Sequence, residues 1–175
     1  MPSNNGSLKV FTDFHDAFKA KDYVKLEKVL ADDFVSIDEN GKQASNKKDY
    51  LSFLEGWSKV FNTDWKVSDV VEKKDTVFSV EHDSDIFNNY FYDGGLEFHY
   101  TYIIKNKQLS SIQWDTLPGY ANKQTVFNDR FTKFYQWVYI NYPAKASYLT
   151  QQDEESAKET KALLLLYFQA INLKT

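Results

Sequence analysis

Few side chains in this chain could move a proton in catalysis. Asp38 ends a short alternating run, FVSID, just before an Asn-Gly turn, within ADDFVSIDENGK at 31–42. A carboxylate placed there is either a proton acceptor at the mouth of a pocket or an acidic strand end. Three histidines are present, His15, His82 and His99, and imidazole is the side chain whose ordinary titration lies nearest neutral pH. His82 shares strand parity with Phe78, Val80 and Ile86, which turns it toward apolar surroundings. His99 alternates with Phe98 and Tyr100 and so falls with Thr101 and Ile103. His15, beside Asp16 and near Lys19, reads as a surface residue.

Other chemistries lack their residues. With no cysteine, disulfides, thiolate metal sites and a Cys nucleophile are excluded. No HxH or HExxH spacing offers a metal site, and EHDSD at 81–85 puts its acids and His82 on opposite faces of a strand. DEESAKE at 153–159 lacks the glycine and ligand spacing of a calcium loop and reads as a solvated helix start. No Gly-rich phosphate loop and no serine in a nucleophile elbow occurs. The expectation is therefore no metal and no cofactor. Net charge is −4, and of 21 basic residues all but Arg130 are lysine, so arginine forks for phosphates or base edges are missing. Nucleic acid is not an expected partner.

The elements that must position these residues are legible from periodicity. A chain of 175 residues suits one domain with a real core, and its aromatic share of 17% favours bulky packing or an aromatic-lined cavity. Phe11, Phe14 and Phe18 mark one face of a first helix; Asp22 caps a second, and Asn46 a third that carries Tyr50, Leu51, Leu54, Trp57 and Phe61. From Trp65 the period becomes alternating. WKVSDVVEK, DTVFSVEHDSDIF, LEFHYTYIIK and QLSSIQWDT read as four consecutive strands of an antiparallel meander. The last third is helical again, in DRFTKFYQWVYINYP and DEESAKETKALLLLYFQAINL. No apolar run has the length of a membrane span, about 18–20 residues.

This order of elements, with AKDYVKLEKVLADDFVSIDENGK, KKDYLSFLEGW and YTYIIKNKQLSSIQWD, resembles the nuclear transport factor 2-like superfamily, called SnoaL-like in bacteria. The similarity covers about residues 8–116. It implies an α+β fold in which a curved antiparallel sheet forms a cone around N-terminal helices, here followed by two C-terminal helices. The chain then divides into a flexible tether at 1–7, a cone domain at 8–121 and a helical extension at 122–175 packed on the same domain. The resemblance also implies an apolar cavity at the open end, with Phe14, Trp57, Phe61, Phe78, Tyr102, Trp114 and His99 as candidate ligand-binding residues.

In the ketosteroid isomerase branch the position matching Asp38 is a general base, and the resemblance carries that role to Asp38. The branch's partners are not repeated. Phe14 stands where a tyrosine donor is expected, and Tyr100 or Thr101 where a protonated aspartic acid is expected. Dehydratase relatives use pocket histidines with an acid, which makes Asp38 with His82 or His99, assisted by Tyr100, the candidate catalytic set. Two functions follow: a module that binds a small apolar or aromatic molecule or assembles with a second copy, and an acid–base enzyme of cyclase, isomerase or dehydratase type with Asp38 as base. The binding module is preferred because Asp38 stands without its matching partners. A homodimer is implied by the resemblance alone. The compartment is open: MPSNNGS resembles the tether behind a removed export or lipoprotein signal, and a cytoplasmic chain could begin the same way.

Overall fold

The computed structural model describes residues 5–151 and 153–172. They fall into two compact units. The first is drawn from the segment up to Leu51, Asp64–Asp83 and Glu97–Leu117, the second from Ser52–Thr63, Ser84–Leu96 and the chain from Pro118 onward.

The first unit opens with α1 (Asn5–Ala20) and α2 (Tyr23–Val29). Val10, Phe11, Phe14, Ala17 and Phe18 recur at helical spacing along α1 and are all buried. Lys21, at φ 56, ends that helix, and the Asp22 carboxylate starts the next by accepting the Lys25 N–H at 2.9 Å. Residues 1–4 of the expected tether lie outside the described residues, and α1 already includes Asn5–Ser7. Strands β1 (Leu30–Ile37) and β2 (Gln43–Asn46) form a hairpin that leads into α3 (Lys47–Phe53). Asn46 caps α3, accepting the Asp49 N–H at 3.0 Å while its own amide donates to the Asp49 carboxylate at 2.9 Å.

Strands β3 (Asp64–Lys73), β4 (Thr76–Ser84), β5 (Leu96–Lys105) and β6 (Gln108–Thr116) complete a six-stranded sheet ordered β2-β1-β6-β5-β4-β3. The register slips between Leu30 and Val35, Ser36 and Ile37, and Ile103 and Ile104. Irregularities of this kind bend a sheet and increase its twist, so they supply the curvature around the N-terminal helices. One detail departs from the expected antiparallel sheet. β1 runs parallel to β6, so the sheet is mixed. A long connection containing helices separates these strands, and alternation within a strand carries no record of direction across it.

The second unit contains a π-helical turn (Leu54–Ser58), α4 (Lys59–Phe61), α5 (Ile86–Phe91), α6 (Tyr120–Asn141), a 3-10 segment (Pro143–Thr150) and α7 (Glu154–Ala170). Phe61, Phe87, Phe91, Phe134, Leu163, Leu164 and Phe168 form its core. The strand expected to run to Phe87 stops at Ser84. There Asp85 caps α5, its carboxylate accepting the Asn88 N–H at 2.8 Å and the Thr63 hydroxyl at 2.7 Å. Phe87 and Phe91 thereby reach the same core one helical turn apart, with ring centroids 4.4 Å from each other.

Candidate functional site

The strands around β4 sort their residues by parity. Val77, Ser79 and Glu81 are buried on β4, while Phe78 between them is exposed. On β5, Phe98, Tyr102 and Ile104 are buried and His99 is exposed. Tyr100 pairs with Trp114 and Tyr102 with Ile112 across the β5–β6 ladder, which puts these four on one face. That face meets α1, since the Tyr102 ring lies 4.9 Å from Phe11, 6.0 Å from Phe14 and 5.6 Å from His15, centroid to centroid.

At its centre is Glu81, whose side chain is 1% exposed. Tyr102 donates its hydroxyl to Glu81 Oε1 at 2.6 Å, and Ser79 donates to the same oxygen at 2.7 Å. His15 Nε2 lies 3.3 Å from that oxygen, within ion-pair reach but outside hydrogen-bond geometry. All three approaches converge on Oε1. Buried carboxylates are expensive unless donors surround them, and beside this one the buried His15 Nε2 has no hydrogen-bond partner among the described residues.

Three phenols report on the electrostatics. Burial pushes Tyr102 well above the ordinary phenol value, and the negative charge of Glu81 adds to the rise. Tyr100 is raised first by burial and then by Asp83 and Glu81, and partly exposed Tyr50 first by burial and then by Glu81 and Asp83. These phenols stay protonated across the physiological range, and Tyr102 uses its proton to bond Glu81. His15, Ser79, Glu81, Asp83 and the three tyrosines therefore make one polar cluster, all drawn from the first unit.

The residues expected from sequence distribute unevenly around it. Phe14, Tyr100, Tyr102 and Trp114 belong to the face that carries Glu81. Trp57 and Phe61 stack on each other at 4.8 Å in the core of the second unit. Phe78 and His99 are exposed, and His82 shares the parity of Phe78, opposite to that of Glu81. Asp38 serves its own turn: Oδ1 accepts the Asn40 N–H at 2.9 Å and the Lys42 N–H at 2.8 Å. No hydrogen bond joins it to His82, His99 or Tyr100 among the described residues. His15 is the reverse case, expected at the surface yet packed among the rings of Phe11, Phe14, Trp65 and Tyr102 with its side chain 14% exposed.

Sequence reasoning missed Glu81 because Phe78 and Val80 made the other face of β4 look like the buried one. The available signal was the i, i+2, i+4 series Ser79, Glu81, Asp83, polar on a strand whose inward face was assumed apolar. Among the described residues no group of three or more His, Asp or Glu is placed to hold a metal ion, and no helix is long and apolar enough to cross a membrane.

No family model and no curated protein matches the sequence. Solved structures do match. A candidate SnoaL-like polyketide cyclase from Jannaschia sp. CCS1 is 12% identical, with a TM-score of 0.56 over 73% of this chain and 95% of that one. An LEH-like epoxide hydrolase from M. tuberculosis is 10% identical, with a TM-score of 0.55 over 73% of this chain and 93% of that one. An NTF2-like protein of unknown function from Cytophaga hutchinsonii ATCC 33406 is 11% identical, with a TM-score of 0.52 over 66% and 94%. At these identities the likeness is one of fold: the chain has the α+β cone fold of NTF2-like and SnoaL-like proteins, with helices added after the last strand.

Proposed function

We propose that this protein binds a small molecule on the inner face of its curved sheet, anchored by Glu81 and flanked by Phe14, Tyr100, Tyr102 and Trp114. The supporting observation is the convergence of the Tyr102 and Ser79 hydroxyls on the buried Glu81 carboxylate, with His15 Nε2 beside it buried and without a hydrogen-bond partner among the described residues. A buried polar cluster kept only for stability would be expected to have every such atom hydrogen-bonded. Aromatic walls with a few convergent polar groups are also the usual composition of small-molecule sites.

The test is a ligand-observed nuclear magnetic resonance screen of single-ring aromatic amines, alcohols, acids and hydrocarbons. Saturation transfer is expected to at least one class with the wild-type protein and is expected to weaken in Glu81→Gln and in Tyr102→Phe. Circular dichroism verifies that each variant is folded. Absence of binding by every class, or binding indifferent to both substitutions, overturns the reading.

A second reading is favoured by His15, whose Nε2 lies 3.3 Å from Glu81 Oε1. An imidazole beside a buried carboxylate supplies the two kinds of group that acid–base catalysis uses, here close together but not hydrogen-bonded to each other. In this reading Glu81, rather than Asp38, is the base, with Tyr102 as a hydroxyl donor. Mass spectrometry of a bound compound before and after incubation separates the two readings: an unchanged mass and fragmentation pattern supports binding alone, and a new species supports turnover.

A further inference from the structure

We propose that the outer face of α6 is an interface between two copies of this chain, their α6 helices packed antiparallel about a twofold axis. The proposal is independent of the Glu81 site, and α6 lies outside the segment that carries the family resemblance. The inner side of α6 is buried through Phe134 and Val138. Its outer side carries Ala121, Thr125, Asn128, Thr132, Tyr135 and Tyr139, alternately four and three residues apart and all exposed. That is the 3.5-residue spacing of a seam along which one helix packs on another. Next to it, Ile140 is the most exposed of the large hydrophobic side chains among the described residues, at 77%, and Tyr139 is 62% exposed. Tyr135, Gln136, Tyr139 and Ile140 line an open depression of about 290 Å³.

Charge and bulk along the seam select a second copy as the occupant. A twofold contact sets a patch against itself, so a charged seam would bring like charges together. None of the six seam residues is charged. Tyr135 and Tyr139 make one half bulky, while Ala121, Thr125 and Asn128 keep the other small. Antiparallel pairing centred near residue 132 lays Tyr139 over Thr125 and Tyr135 over Asn128, so large side chains meet small ones. Parallel pairing would set tyrosine on tyrosine and leave the small half unfilled. The flank agrees. Asp129 and Lys133, paired at 2.7 Å within the helix, lie on one side of the seam. In an antiparallel twofold pair like flank runs along like flank, and the same centre brings Asp129 of each copy opposite Lys133 of the other. Tyr135, Tyr139 and Ile140 expose on the order of 300 Å² per copy. Doubled and joined by the polar seam residues, that approaches the roughly 1,000 Å² at which specific interfaces begin, which fits a weak, concentration-dependent dimer.

The experiment is sedimentation velocity of the full chain at pH 7, from about 1 μM to about 1 mM, a range that covers a micromolar dissociation constant. The wild type is expected to pass from monomer to dimer across it. Tyr139→Glu puts a charge without a partner into the seam and is expected to weaken dimerisation at least about tenfold. Asp129→Lys and Lys133→Asp each set like charges against the second copy and are expected to weaken it several-fold, whereas a mixture of the two variants should form a heterodimer tighter than either alone. All three positions are exposed, and circular dichroism verifies the fold of each variant. A chain that stays monomeric throughout overturns the proposal. So does a dimer indifferent to Tyr139→Glu, which places the contact elsewhere. A dimer weakened by Tyr139→Glu but showing no preference in the charge-variant mixture overturns the antiparallel pairing.

Discussion

Asp38 and Glu81 each gather hydrogen bonds onto one oxygen, and the nature of the donors separates their roles. Those on Asp38 are the backbone N–H groups of Asn40 and Lys42, and its own N–H donates to the Lys42 carbonyl at 2.9 Å. This is the chemistry of a turn, in which a short carboxylate substitutes for backbone partners. Asp38→Ala is therefore expected to lower stability by about 1 kcal/mol, and Asp38→Asn, which keeps the acceptor, by less than about 0.5 kcal/mol. Urea unfolding measures both. A loss of ligand binding at unchanged stability in Asp38→Asn would return Asp38 to the functional set. The donors on Glu81 are side chains from two strands, so their removal acts on tertiary structure. Tyr102→Phe takes a hydroxyl from a buried carboxylate and is expected to cost about 1.5–3 kcal/mol in the same assay. The sequence showed Tyr102 and Phe14 correctly as neighbours of a site, because parity and helical spacing report which residues share a face. It did not show which face of β4 is inside, since hydrophobic content alone favoured Phe78 and Val80 over Ser79 and Glu81. A polar inner face inverts the usual signal, and that inversion hid the central residue.

At the scale of elements, caps and close approaches decide where the chain changes course. The helices following Asp22 and Asn46 were legible because each begins with a side-chain acceptor followed by helical periodicity. Helix α5 was not, although Asp85 is the same kind of signal. Its six residues, IFNNYF, are too few to display a period, and they follow a strand without a glycine or proline. Asp85 is buried, and burial raises its carboxyl above the ordinary value of 3.8 despite the Asn88 and Thr63 donors. A raised folded value means that the native state binds its proton more tightly than the unfolded chain does. The associated stability is fully present below about pH 3.8 and is lost as pH rises through the folded value. The stability difference between wild type and Asp85→Asn should therefore shift toward the variant as pH rises from below 3.8 toward neutrality. Urea titrations across that range that show a constant difference, or a shift toward wild type, contradict the assignment. Gly56 in the π-helical turn makes a second test. A Cβ there would stand 3.0 Å from the Glu154 nitrogen and 3.3 Å from the Asp153 carbonyl carbon, both backbone atoms. Backbone cannot swing aside as a side chain can, so Gly56→Ala is expected to destabilise by about 1–3 kcal/mol, against the usual helix preference for alanine.

Across the whole molecule, the tyrosines tie both units to pH in one direction. In the first unit Tyr50, Tyr100 and Tyr102 are raised well above 10.0, led in each case by burial. In the second, burial raises Tyr90 and Tyr92 to about 12. An unfolded chain ionises each of these phenols near the ordinary value of 10.0, while the folded chain resists. The stabilising contribution is thus complete below pH 10 and is withdrawn as pH rises above it, by about 1.4 kcal/mol per pH unit for each phenol that ionises only when unfolded. Stability should consequently fall steeply between about pH 10, where exposed tyrosines titrate, and about 12, to which Tyr90 and Tyr92 are raised. Phenolate absorbance from Tyr50, Tyr100 and Tyr102 should appear together with loss of the circular dichroism signal, not ahead of it. Tyr102→Phe removes one of these titrations and should flatten the alkaline slope even though the variant is less stable at pH 7. Should all phenols titrate smoothly near pH 10 with the fold intact, the aromatic cluster around Glu81 is open to water, and the binding site proposed there loses its physical basis.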